Sequence, residues 1–240
     1  MELVYKRRGQ TPLQALDELR GQKLDYKDTA LSYAGRLDPM AEGLMLVLVG
    51  EENKEREKYL NLDKDYVVDI LFGIETDTYD GLGKISEIKN TEIEILNLDK
   101  YIGKFVQEYP PYSSKPVNGK PMFEWAREGK LDEIEIPTKK VEIFSCEILS
   151  KNVISGKELI ENAELDSTLI TGDFRQEEIL SSWKNALKEH ESSVFSVLKI
   201  KVSCSSGTYM RSFAHNLGKE LSCGAIAYRI KRTKVGEWVI

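Results

Sequence analysis

Asp38 stands in the segment from Tyr33 to Gly50, YAGRLDPMAEGLMLVLVG, between two glycine-containing turns and directly before an apolar run, Leu44 to Val49. The run reads as a buried strand. A carboxylate in a loop anchored to such a strand is held rigidly, in a position where a catalytic group is useful. Asp-Pro is also an ordinary helix or turn start, with Asp accepting backbone N–H bonds and Pro pre-setting φ. Other reactive chemistry is sparse. His190 and His215 are the only histidines, and Cys146, Cys204 and Cys223 are widely spaced with no CxxC pair. That pattern fits reduced thiols, and neither a metal site nor a disulfide framework is expected.

The elements that must position these residues are legible in part. Thr11-Pro12-Leu13-Gln14 predicts a helix start, with Thr as cap and Pro at the first helical position. Leu13, Leu16 and Leu19 then form a stripe expected to face a core. Glu51 to Leu60 reads as a charged, exposed helix. Asp65 to Gly73, DYVVDILFG, predicts a strand followed by a polar turn at 76–81. Three prolines and Asn118-Gly119 exclude long regular structure between Tyr109 and Lys120. Phe123 to Gly129 reads as a short helix, and Val141–Leu149, Val194–Val202 and Ile226–Arg232 as strands. Asp173 to His190 predicts an amphipathic helix capped by Asp173, with Ile179, Leu180, Trp183 and Leu187 on one face. Thr208 to Leu221 predicts a helix with a basic side, closed by Cys223-Gly224. Strands and helices mix without a βαβ rhythm, so the expected class is α+β around a mixed, largely antiparallel sheet.

With 41% hydrophobic and 31% charged residues over 240 positions, the chain is globular, not disordered, and large enough for a substantial core. Its longest apolar run is far too short to span a bilayer. The start, MELVYKRRGQT, lacks a signal-peptide core, so no membrane and a cytoplasmic location are expected. The net charge of −6 argues at first sight against nucleic acid. The charge is uneven, however. Residues 151–191 hold five basic and nine acidic residues, whereas 204–234 hold six basic residues against Glu220 alone. Lys6-Arg7-Arg8 adds a second basic cluster, so a basic face for an anionic partner remains open.

Four segments, in order, resemble the TruB family of tRNA pseudouridine synthases: GRLDPMAEGLMLVLVG, KDYVVDILFGIETDTYDGLGKI, QEYPPYSSKPVNGKPMFEWAREG and VSCSSGTYMRSFAHNLGKELSCGAIAYRIKRTKVG. The resemblance implies a pseudouridine synthase fold over 1–240, and the acidic segment at about 151–193 is, by its charge, the candidate insertion. It implies isomerisation of a uridine in tRNA, position 55 of the T-loop, by a base turned out of its stack. Asp38 would be the nucleophile, attacking C1′ or C6. Arg211 would pair with it and keep it charged, and Tyr66 would stack on the uracil and take part in proton transfer. Ile230 would lie against the base and Tyr112 could stack on an unpaired one. Lys6, Lys120, Arg127, Arg232 and Lys234 would contact phosphates. No cofactor is implied, the partner would be the tRNA T-arm, and a monomer is expected.

The chain departs from the family at several points. Tyr33-Ala34-Gly35 replaces His-Thr-Gly, so Tyr33 is expected to keep a stacking contact with the nucleotide but not imidazole chemistry. The chain stops at Ile240, where many members carry a small C-terminal RNA-binding domain. The acidic insertion around Asp173 to His190 is expected to lie away from the RNA. Arg36-Leu37-Asp38 is also the signature of ribosomal-RNA pseudouridine synthases, which gives an alternative substrate with the same chemistry. A non-catalytic RNA-binding or tRNA-folding protein on the same fold is the rival from another class.

Overall fold

The computed structural model describes residues 1–89 and 97–240. Strand β1 (Glu2–Lys6) leads into helix α1 (Pro12–Gln22), which opens with a full capping box. Thr11 Oγ1 accepts from Gln14 N at 3.2 Å, and the Gln14 side chain accepts from Thr11 N at 2.7 Å. The helix buries Pro12, Ala15, Leu16 and Leu19. Leu13, expected in that stripe, is exposed, because it lies about 100° round the helix from Pro12. Strands β2 (Leu31–Ala34) and β3 (Ala41–Val49) flank the Asp38 loop. The helix expected over 51–60 is divided into a 3₁₀ turn, Gly50–Glu55, and α2 (Arg56–Leu60).

Next come β4 (Lys64–Phe72), β5 (Ile74–Thr76), β6 (Ile85–Ile88) and β7 (Gly103–Glu108). A two-residue turn joins β8 (Pro116–Val117) to β9 (Lys120–Pro121). Asn118 and Gly119 occupy it at φ +51° and +82°, the combination such a turn requires. Helix α3 (Met122–Arg127) follows, then β10 (Thr138–Ser155), twice as long as the segment the alternation picks out. The acidic stretch forms the end of β10 and two helices, α4 (Gly156–Leu169) and α5 (Gln176–Leu187). Asp173 does not cap α5. The cap position is Arg175, and the Asp173 carboxylate pairs with Arg127 at 3.1 Å. The chain closes with β11 (Val194–Cys204), α6 (Met210–Glu220), β12 (Ala225–Val235) and β13 (Trp238–Val239).

Among the described residues, nine strands form one mixed sheet in the order β1-β3-β12-β4-β11-β10-β7, with β2 on β3 and β13 on β12. Its pairings are antiparallel except β3 with β12, which run parallel from Ile230/Ala41 to Arg232/Gly43. That contact is close. A Cβ on Gly43, at φ +114°, would meet the Arg232 carbonyl oxygen at 2.2 Å, so glycine is what lets the two strands join. Alternation on β4 assigns the two faces. Tyr66, Val68, Ile70 and Phe72 pack with Met210, Phe213, Ala214 and Leu217 of α6, and Leu37 joins them. Leu71 packs on the other face with Leu159 of α4 and Ile179, Trp183 and Leu187 of α5. Leu180, expected on that face, is not part of the cluster and is only half-buried. Among the described residues, no helix is long and apolar enough to cross a membrane.

Candidate active site

The loop between β2 and β3 carries Asp38 beneath the N-terminal end of α6, 173 residues away in sequence. Arg211, in the first turn of α6, donates from Nε to Asp38 Oδ2 at 2.7 Å and from Nη2 to Asp38 Oδ1 at 3.0 Å. The fork therefore fixes both oxygens. The Arg211 side chain is 3% exposed and that of Asp38 is 30% exposed, so the carboxylate alone presents a face to solvent. Arg211 is held from behind as well. Its Nη1 donates to the Thr78 carbonyl at 3.1 Å, and the Tyr112 carbonyl accepts from Nη1 and Nη2 at 3.4 and 3.3 Å.

A second carboxylate, Asp80, stands 3.7 Å from Arg211 Nε. Its Oδ1 accepts from Thr78 Oγ1 at 2.6 Å and from Leu82 N at 2.9 Å. Burial pushes the Asp80 carboxyl up, Arg211 pulls it down, and the neighbouring Asp38 charge adds to the rise. For Arg211, burial works against the charge, but Asp38 and Asp80 outweigh it and hold the guanidinium above its ordinary value.

Asp38 and Arg211 line two cavities. The larger, of about 620 Å³, also has Tyr66, Ile230, Tyr109 and Tyr209 in its wall, with Lys115 and Lys139 among its cations. Tyr66 and Ile230 are thereby brought to Asp38 from the two central strands β4 and β12. Burial raises the Tyr66 phenol, and the Arg232 guanidinium beside it pulls the other way. Burial and the Asp38 charge push Tyr209 up to about 12, so it stays a neutral phenol. Lys139 lies over Gly207, in the turn before α6. The smaller cavity, of about 310 Å³, opens on the other side of the pair, between Thr78 and Asp80 and the side chains of Phe123, Arg127, Phe174 and Arg175.

Several expected RNA contacts are engaged otherwise, although Arg232 does line the larger cavity. Lys6 is fully buried, and its Nζ donates to the carbonyls of Arg7, Pro39 and Ala41. Arg232 is 1% exposed, with Nε on the Leu44 carbonyl at 2.7 Å and Nη2 on that of Gly35 at 3.1 Å. The expectation that both meet phosphate is therefore corrected. Their donors instead satisfy carbonyls of the Asp38 loop, of β3 and of Arg7, since buried carbonyls need partners. Burial lowers Lys6 to about 8, against the pull of Asp38.

Tyr33 does not reach the site. Strand alternation turns it with Leu31 onto the α1 core of Ala15, Leu16 and Leu19, while Ala34 packs on the opposite side. Tyr112 has one ring face covered by Arg175, 4.3 Å from the centroid, so that face is not free for a base. Lys120 pairs with Glu128 at 2.7 Å and lies over Trp125, and Lys234 lies on β12, both outside the two cavities. Arg127 lines the smaller cavity. The insertion does not stay clear of the site, since Asp173, Phe174 and Arg175 wall that same cavity.

Two buried residues of the site, Asp80 and Lys64, do not stand out in the sequence. The Thr-x-Asp spacing of the 76–81 turn is a usable signal for Asp80, since Thr and Asp two apart close such turns on each other. Lys64 is buried, donates to the Leu60 and Leu62 carbonyls, and is lowered to about 8 by burial and Arg232. Its one signal is its place at the head of the segment KDYVVDILFG. Arg175 carries no signal, because it sits in a segment that reads as acidic surface.

Residues 23–162 match the family described as TruB family pseudouridylate synthase (N terminal domain). The tRNA pseudouridine synthase B of Francisella philomiragia is 33% identical over 227 residues, covering 91% of this chain and 61% of that protein. That of Borreliella afzelii is 30% identical over 238 residues, covering 98% of this chain and 68% of that protein. The chain thus spans about three-fifths of the length of the Francisella relative. Among solved structures, a chain of a Cbf5-Nop10-Gar1 complex superposes with a TM-score of 0.56 over 99% of this chain and 49% of that one. At 14% identity, that likeness shows a shared fold.

Proposed function

This chain belongs to the TruB family of pseudouridylate synthases, and on that premise we propose that it converts a uridine of tRNA, U55 in the T-loop, to pseudouridine. The observation that carries the reading is the Asp38–Arg211 pair, a carboxylate fixed on both oxygens yet open on one face, at a cavity walled by Tyr66 and Ile230. The reaction is redox-neutral and needs no cofactor. The bond from C1′ to N1 breaks, a bond from C1′ to C5 forms, the C5 proton leaves and N1 takes one up. Asp38 supplies the electron pair, at C1′ or C6, and the Arg211 fork aims it. Ile230 packs against the extruded uracil and Tyr66 stacks on it, its phenol taking part in the final proton transfer. Lys115, Lys139 and Arg36 at the larger cavity suit the phosphates of an RNA strand, which positions the substrate without reading it. We take the protein to act as a monomer in the cytoplasm.

The test is incubation with unmodified tRNA and, separately, unmodified ribosomal RNA, followed by position-resolved pseudouridine mapping for wild type and Asp38→Asn. Pseudouridine at U55 from wild type alone is the expected result. Product only on ribosomal RNA would transfer the same chemistry to the other substrate. Binding of a T-arm stem-loop with no product from either protein would leave an RNA-binding module.

A further inference from the structure

Arg175 touches neither Asp38 nor Arg211, yet it grips both backbone segments that hold the Arg211 fork. It lies at the end of the loop joining α4 to α5, with φ +61° and ψ +31°. That left-handed conformation costs an L-residue roughly 1–2 kcal/mol, and it persists only where the surroundings over-determine it. Here they do. Gln176 closes the loop, donating to the Gly172 carbonyl at 2.7 Å and accepting from Phe174 N at 3.0 Å. Arg8 and Arg229 both pair with Asp166, at 2.9 and 2.8 Å, and anchor the end of α4.

From this fixed loop the Arg175 fork faces Asp77. Nη1 donates to Oδ2 at 2.7 Å and Nη2 to Oδ1 at 3.3 Å. Its plane covers the Tyr112 ring, and the Tyr112 hydroxyl donates to the same Asp77 carboxylate at 3.3 Å. Asp77 precedes Thr78. The two carbonyls that accept from the back of Arg211 are those of Thr78 and Tyr112. Arg175 therefore reinforces, beside the direct Tyr112–Asp77 bond, the link between the two segments, 76–81 and 109–115, that set where Arg211 points.

We infer that Arg175 is a positioning residue for the proposed isomerisation: through Asp77 and Tyr112 it fixes the carbonyls that orient Arg211, and so the attack angle of Asp38. The inference rests on the functional reading above and assigns part of the site's preorganisation to the α4–α5 insertion. A direct contact between Arg175 and RNA is the competing role. It is disfavoured by geometry, because the fork is engaged by Asp77, one face of the guanidinium lies on Tyr112, and the side chain is 13% exposed.

Asn tolerates the left-handed conformation but is too short to reach Asp77, so Arg175→Asn removes the clamp while sparing the loop backbone. Wild type, Arg175→Asn, Arg175→Lys, Asp77→Asn and the Arg175→Asn/Asp77→Asn double variant are compared on a T-arm stem-loop. The readouts are kcat, KM, RNA affinity and Tm. We expect kcat to fall about 10- to 100-fold in Arg175→Asn, since a misplacement of about 1 Å can cost about 100-fold. KM and RNA affinity should stay within about twofold, because the substitution removes nothing that touches the substrate. Arg175→Lys, which keeps the charge but not the fork, should recover part of kcat. The double variant should be no slower than the worse single one by more than about twofold, because both break one clamp.

An unchanged kcat in Arg175→Asn overturns the inference. So does a raised KM with unchanged kcat, which would make Arg175 an RNA contact. A wild type that binds the stem-loop but forms no pseudouridine sinks the functional reading instead. An active wild type matched by an equally active Asn variant sinks the clamp alone.

Discussion

Arg211→Lys keeps the positive charge opposite Asp38 and removes the fork, so it separates charge from geometry. In the native protein the guanidinium serves four acceptors: both Asp38 oxygens, at 2.7 and 3.0 Å, and the carbonyls of Thr78 and Tyr112. A lysine ammonium is a point charge, and it can hold one carboxylate oxygen and at most one of the carbonyls. Losing one charge-assisted bond costs about 1.5–3 kcal/mol, and leaving one buried carbonyl short of a partner about 1–3 kcal/mol. The sum, about 2.5–6 kcal/mol, corresponds to a fall in Tm of roughly 5–24 °C for a chain of this size. Turnover should fall further than stability suggests. With one oxygen released, Asp38 can rotate, and a displacement of about 1 Å is enough for about 100-fold in rate. The assay is single-turnover pseudouridine formation at saturating T-arm RNA, below the melting temperature of both proteins, with thermal melts alongside. If Arg211→Lys turns over like wild type, charge alone suffices and the argument from fixed bidentate geometry is wrong.

Lys6 and Lys139 make opposite predictions in a salt titration of RNA binding. Lys139→Gln should flatten the slope of log K against log salt by about 0.7–0.9, the change expected when one phosphate is no longer neutralised. Lys6→Met should lower Tm and leave the slope unchanged, because its ammonium is bound to three carbonyls inside the fold. A flatter slope in Lys6→Met would contradict the buried assignment. His215 gives a pH dependence. It is buried against Tyr79, with ring centroids 3.6 Å apart, and among the described residues neither ring nitrogen has a hydrogen-bond partner. Burial, with Lys219 nearby, pushes its pKa down to about 4 from an ordinary 6.5. Between those values the unfolded chain binds the proton and the folded chain does not, so acidification costs stability. The loss across that window is about 3 kcal/mol. The stability gap between wild type and His215→Phe should move by that amount between pH 7 and pH 4. A constant gap, measured by denaturant melts at each pH, refutes it.

What can be foreseen from the sequence follows the range of the interaction. The Thr11 capping box and the Asn118-Gly119 turn are settled within four residues, so both are readable directly. The approach of Arg211 to Asp38 spans 173 positions, and it is foreseeable only by resemblance. Lys6 and Arg232 show the limit of reading charge as surface. Whether a cation meets phosphate or a backbone carbonyl depends on where the β2–β3 loop turns its carbonyls, which one strand cannot reveal. Tyr33 is closer to hand. The alternation Leu31, Tyr33 against Ser32, Ala34 already assigns it to one face of β2, and only the identity of that face, α1 rather than the cavity, is missing. Arg175 is out of reach, because its partners Asp77 and Tyr112 arrive from two other segments.

The same geometry distinguishes the two carboxylates that share Arg211. Asp80 is the more buried, and its Oδ1 is occupied by the Thr78 hydroxyl and the Leu82 N–H. Its Oδ2 is 3.7 Å from Arg211 Nε, beyond the reach of a strong bond. Burial and the Asp38 charge both favour its neutral form. Asp38 has both oxygens on the fork at 2.7 and 3.0 Å and keeps an open face toward Tyr66 and Ile230. A nucleophile needs an oxygen with access to the substrate, and of the two carboxylates Asp38 is the one that has it. Asp80 stands beside the fork, buried and with Oδ1 already occupied. Placing one guanidinium between two acids of unequal access makes the choice of nucleophile a matter of solvent exposure, since the two groups have the same chemistry.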